Sequence, residues 1–127
     1  MIEVYTDAAT AGNPGPSAVG IYIKDRHKFS KYLGSCSNHE AEFLAVIYAL
    51  EYCSQHYSGE IISIRSDSQV VVHSADTEHC KNPAYAPLLG KILALHQHFS
   101  YVFYKWIPDK ENKHADRLAR EELKKNQ

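Results

Sequence analysis

The sequence predicts an α/β fold: one mixed β-sheet flanked by helices. Three observations predict it. The first third of the chain holds three β-type segments, close enough in sequence to form an antiparallel meander. From residue 37 onward strands alternate with amphipathic helices, which requires parallel crossovers. No repeat, linker or low-complexity stretch divides the 127 residues, and that length suits one domain, 1–127.

Each element follows from its residues. Ile2–Thr6 alternates, is rich in β-formers, and reads as a first strand that stops at Asp7. The Gly and Pro residues of "AGNPGPS" continue neither regular structure, so a loop follows. "AVGIYIK" is a second strand, "DRHK" a hairpin turn and "FSKYLGSCS" a third strand. Ser37 and Glu40 have capping-box spacing, ahead of a run in which Phe43, Val46, Ile47, Leu50 and Cys53 recur at helical period. A long helix therefore starts at Ser37 and ends near Tyr57 to Gly59. "IISIRSD" is a fourth strand, "SQVVVHSA" a short helix and "DTEHCKNPAYAP" a loop. "LLGKILALHQHF" is a third helix and "SYVFYKWI" a fifth strand. "DKENKHADRLAREELKKNQ" closes the chain as a helix with Ala115, Leu118, Ala119 and Leu123 on its inner face.

Composition excludes several classes. A formal net charge of −1 gives the whole chain no pull on nucleic acid or membrane, so any such pull must be local. Lys113, Arg117, Arg120 and Lys124 fall along one side of the last helix, with Lys105 and Lys110 nearby; a basic strip and an ordinary solvated face both fit them. Three cysteines with no CxxC pair indicate neither a disulfide framework nor a zinc site, and point to a reducing, cytoplasmic setting. "MIEVYTDAA" is no signal sequence, and no apolar run reaches the ~18 residues of a membrane span. The eight His show no metal-ligand spacing.

Two strands end in an acid, Asp7 and Asp67, each followed by a turn or helix start. If these strands are parallel neighbours, both carboxylates meet at the C-terminal ends, the crevice where open α/β sheets bind ligands. Two close carboxylates require a proton or cation between them, and hard oxygen donors at a half-open site suit Mg²⁺. The plain alternatives are a turn former for Asp7 and a helix cap for Asp67. Glu42 lies beside the inward face of the long helix, and Asp116 beside the apolar stripe of the last one; for each the alternative is an ordinary surface acid.

Four blocks, "YTDAATAGNPGPSAVGIYI", "SNHEAEFLAVIYAL", "IRSDSQVVV" and "ENKHADRLARE", together resemble the type 1 ribonuclease H family over nearly the whole chain. The resemblance implies a five-stranded mixed sheet of order 3-2-1-4-5, strand 2 antiparallel to the rest, with helices on both faces. It implies a site of four acids: Asp7 on the first strand, Glu42 of an NxxxE motif beginning at Asn38, Asp67 of "DSQ", and Asp116 of an NxxxD motif beginning at Asn112. They would hold two divalent ions about 3.5–4 Å apart, Mg²⁺ with Mn²⁺ as the alternative, and hydrolyse the RNA strand of RNA/DNA hybrids to 5′-phosphate and 3′-hydroxyl ends. Asn13, Asn38 and Gln69 match positions that touch the minor groove or backbone near the cut, where amides suit a 2′-hydroxyl. Ser37 matches a position that places a hydroxyl against a DNA phosphate, a role compatible with capping. A monomer is expected, with double-stranded RNA as a second candidate ligand.

The chain departs from the family pattern in four places. Ala8 and Ala9 replace a common Gly-Ser, keeping the residues small. The segment Trp106 to Asn112 is too short for the His-bearing glycine-rich loop of many members, and the nearby His114 sits two residues from Asp116, where helical side chains point apart. No basic protrusion precedes the third helix, and no hybrid-binding domain precedes the first strand. These losses predict weak binding, because phosphate contacts dominate affinity. They also keep open a second reading, a weakly active or inactive module that binds hybrid or double-stranded RNA. A related-fold exonuclease is disfavoured: it would carry Asp-x-Glu on the first strand, where this chain has Asp7-Ala8-Ala9.

Overall fold

In the computed structural model, which describes residues 1–127, the sheet has the order β3-β2-β1-β4-β5. Its strands are β1 (Ile2–Thr10), β2 (Gly15–Ile23), β3 (His27–Cys36), β4 (Ile61–Ser66) and β5 (Tyr101–Trp106). β2 runs antiparallel to both β1 and β3, whereas β1, β4 and β5 are parallel. The helices are α1 (Asn38–His56), α2 (Gln69–Thr77), α3 (Ala86–Leu95) and α4 (Lys113–Lys125). No helix is long and apolar enough to cross a membrane.

The alternation of the strands sorts their side chains between the two faces. Val4, Ile21, Ile62 and Ile64 point to one face and are sealed by Phe43, Val46 and Leu50 of α1, with α2 and α3 completing that layer. α4 covers the other face chiefly over β2, β1 and β3. It packs closely because Gly20 has no side chain: a Cβ there would lie 2.2 Å from the Ala115 carbonyl oxygen and 2.7 Å from the Ala119 nitrogen. Ala115, Ala119 and Leu123 are buried as expected, while Leu118 is half-buried.

Several expected boundaries move. β1 does not stop at Asp7 but runs on to Thr10, because Ala8, Ala9 and Thr10 pair with Val19, Ala18 and Ser17 of β2. What does stop near Asp7 is the parallel ladder, whose last pair is Thr6 with Ser66. The loop after β1 is correspondingly shorter, and β2 begins at Gly15. Ser68, not Asp67, caps α2, its hydroxyl accepting from the Val71 N–H at 3.3 Å. Pro83–Tyr85 form a short 3-10 turn inside the expected loop, and His96–His98 form another after α3. A third 3-10 turn occupies Asp109–Glu111, so α4 starts only at Lys113.

Candidate active site

The end of the β1/β4 ladder gathers acids from separate parts of the chain. Asp7 comes from β1, Asp67 from the residue after β4, and Glu42 from the second turn of α1, whose start is set by a complete capping box. In that box the Glu40 N–H donates to Ser37 Oγ at 3.2 Å and the Ser37 N–H donates to Glu40 Oε1 at 3.1 Å. One carboxylate oxygen from each of Asp7, Glu42 and Asp67 lies within 4.8 Å of the others. Asp116, in the first turn of α4, stands outside that trio but near enough to Asp7 to strengthen its hold on a proton. Its Oδ1 accepts from Arg120 Nε at 2.9 Å.

Crowding raises the proton affinity of three acids. Asp7 is pushed up to about 8, first by burial and next by the Asp67 charge, while the Ala8 N–H, donating to its Oδ1 at 2.9 Å, works against the rise. Burial, then Asp7 and Asp67, hold Glu42 well above the usual carboxylate range. Burial also raises Asp67, opposed by the Asn112 side chain. Glu42 Oε1 is buried with no hydrogen-bond partner. An unpaired, crowded carboxylate is costly in a dry site unless a proton or cation completes it. An all-oxygen set with such an orphan fits a hard divalent cation.

Two side chains not assigned a role from the sequence frame the acids. Asn112 is 1% exposed; its Nδ2 donates to the Thr6 carbonyl at 2.9 Å, and its own carbonyl accepts from the Asp116 N–H at 3.0 Å. It thus ties the start of α4 to the residue before Asp7. The signal available was its place four residues before Asp116. The Trp106 indole N–H donates to the Asp67 carbonyl at 3.1 Å, and the Ile107 N–H to Ser66 at 2.9 Å. Gly20 had no sequence signal, since nothing local tells a packing glycine from one in an ordinary strand.

A cleft of about 430 Å³ opens beside the acids, lined by Asn38, Glu42, Asp67, Ser68 and Gln69 among others. Asn38 and Gln69 therefore share a wall with two of the acids. Asn13 and Ser37 do not line it. Asn13 instead accepts the Asn38 N–H at its Oδ1 (3.0 Å), pinning the loop after β1 to the start of α1. His114 stacks on Tyr22 with ring centroids 4.3 Å apart. Lys113, Arg117, Arg120 and Lys124 are all exposed on α4.

The sequence profile of the RNase H family matches residues 1–124. The protein EbsB of Enterococcus faecalis is 40% identical, over 98% of this chain and 96% of its own length. A ribonuclease H of Escherichia coli O9:H4 is 30% identical, covering 94% of this chain and 87% of its own. Among solved structures, LC11-RNase H1 in complex with an RNA/DNA hybrid is similar with a TM-score of 0.92 at 29% identity, over 99% of each chain.

Proposed function

The chain belongs to the ribonuclease H family, and we propose that it is an endonuclease cutting the RNA strand of RNA/DNA hybrids. Asp7, Glu42, Asp67 and Asp116 would hold two divalent cations, Mg²⁺ or in its place Mn²⁺. The observation that carries this reading is the approach of Asp7, Glu42 and Asp67 oxygens within 4.8 Å, with Glu42 Oε1 buried and unpaired. LC11-RNase H1, similar to this chain over 99% of each, is in complex with an RNA/DNA hybrid, which supports the substrate class.

When bound, divalent cations supply activation of water and neutralisation of charge at the scissile phosphate, leaving 5′-phosphate and 3′-hydroxyl ends. The protein's own residues supply the rest. Four carboxylates cancel cation charge without acting as nucleophiles. Asn112 and Trp106 hold the backbone at Asp116 and Asp67, so the acids are in place before substrate arrives. Asn38 and Gln69, on the cleft wall, would read a 2′-hydroxyl, with Asn13 holding the Asn38 backbone N–H. Ser37, whose hydroxyl caps α1, would meet a DNA-strand phosphate at the helix N-terminus.

All four acids come from one chain, so a monomer is a complete catalytic unit, and residues 1–127 act as one domain. Three free cysteines support action in the reducing cytoplasm. The second reading, a binding module for hybrid or double-stranded RNA with little activity, is favoured by one observation: the His nearest the acids in sequence, His114, is engaged with Tyr22.

Cleavage of an end-labelled hybrid in Mg²⁺ and in Mn²⁺, with Asp67→Asn as the control, tests both readings. Cutting of the RNA strand that the control abolishes is the expected result. Hybrid binding by folded protein without cutting in either metal would leave the binding module standing and remove the enzyme.

A further inference from the structure

The two edges of the sheet are built differently. Edge strand β3 carries exposed Lys28 and Lys31 and an irregularity: Ser17 pairs with Gly34 and Ala18 with Tyr32, so Leu33 bulges out, next to a glycine at φ +78°. Charges and bulges are the devices that keep an edge from pairing with another chain. The opposite edge, β5, has neither a bulge nor a proline. Its register with β4 is unbroken from Ile61–Tyr101 to Ser66–Trp106, and its one charge is Lys105 near the end. On the sheet face that α4 leaves uncovered, Tyr101 is 58% and Phe103 49% exposed, with ring centroids 4.5 Å apart. Ile61, 40% exposed, stands beside Tyr101 on β4.

We propose that two copies of this chain associate reversibly through β5, edge to edge and antiparallel, about a two-fold axis at Phe103. The occupant is identified by what that axis brings together. Opposite residues of an antiparallel pair share a face, so Phe103 meets the partner's Phe103 and Tyr101 meets the partner's Lys105. Val102 meets the partner's Tyr104 on the other face. The strand's single charge thus faces an aromatic ring instead of a like charge, and the exposed apolar groups of each copy cover those of the other. An acidic partner fits less well. Arg65, the other cation on this face, is already held by Glu3 at 2.6 Å, which leaves Lys105 alone to attract it.

The acids sit on β1, α1 and α4 and just past β4, none of them on β5, so each copy keeps its own cleft. The contact is one short strand with three apolar side chains, an interface at the small, transient end of the range, with a dissociation constant on the order of 10 µM.

Sedimentation velocity from about 1 to about 200 µM protein tests this. The expected result is an average mass that rises across that range from near that of one chain toward that of two. Phe103→Glu places two carboxylates on the axis and abolishes the rise, while the monomer still folds because the side chain is about half exposed. Lys105→Glu sets a carboxylate against the partner's Tyr101 ring in place of the cation and moves the midpoint to roughly five-fold higher protein concentration, the size of one exposed cation–π contact. A parent chain that stays monomeric throughout, a dimer that survives Phe103→Glu, or unweakened association in Lys105→Glu would each overturn the proposal.

Discussion

Replacing Asp7 by Asn should stabilise the metal-free protein while abolishing cleavage. Asn keeps the shape and the oxygen that accepts from the Ala8 N–H, and removes only the charge. Folding moves Asp7 from 3.8 to about 8, so between those values the folded state binds a proton that the unfolded chain has released. Stability therefore falls as pH rises through that window, and the Asn variant escapes the fall. At ~1.4 kcal/mol per pH unit the ceiling at pH 8 is roughly 6 kcal/mol. Glu42 and Asp67 share protons with Asp7 and relax when it is neutralised, so about half of the ceiling is expected, roughly 2–3 kcal/mol. For a domain of this size that is a rise in Tm of about 6–12 °C. At about pH 5 little of the window has been crossed, and the gain shrinks to under ~1 kcal/mol. Thermal melts of both proteins in EDTA at the two pH values measure this directly. A variant that is less stable than the parent, or a gain that does not grow with pH, would refute the account of crowded acids.

Other consequences are open to measurement. Mg²⁺ should raise the parent's Tm, by more at pH 8 than at pH 5 because the acids must release protons to bind it, and should leave Asp7→Asn nearly unmoved; differential scanning calorimetry with and without the ion reads both. Gly20→Ala should cost about 2–4 kcal/mol in urea denaturation and lower cleavage, since its methyl would drive α4, and Asp116 with it, off β2. Asn112→Ala leaves the buried Thr6 carbonyl unpaired and should cost about 1–3 kcal/mol by the same assay. Ser37→Ala removes the α1 cap and should cost about 1 kcal/mol, visible as lost stability with the helix content of the folded state retained.

The order and kind of every main element were legible in the chain, because alternation at period two and recurrence at period 3.6 are properties of neighbouring residues. So was the capping box at Ser37 and Glu40, where four consecutive residues contain the whole signal. The boundaries that moved are those where a distant partner decides. β1 runs past Asp7 because β2 offers Ser17, Ala18 and Val19 to pair with, and nothing within Ile2–Thr6 announces that.

The site divides along the same line. Sequence alone proposed Asp7, Glu42, Asp67 and Asp116 as a set, through their place in recognisable blocks. It did not bring them together. That required β1 and β4 to be parallel neighbours, α1 to lie across one face and α4 to close on the other over Gly20, all contacts between residues far apart in the chain. The crowding that raises Asp7 to about 8, the orphaned oxygen of Glu42 and the brace from Asn112 to Thr6 exist only in that arrangement. Local chemistry is written residue by residue, but burial and charge proximity depend on which distant segments share a volume, and only the tertiary structure decides that.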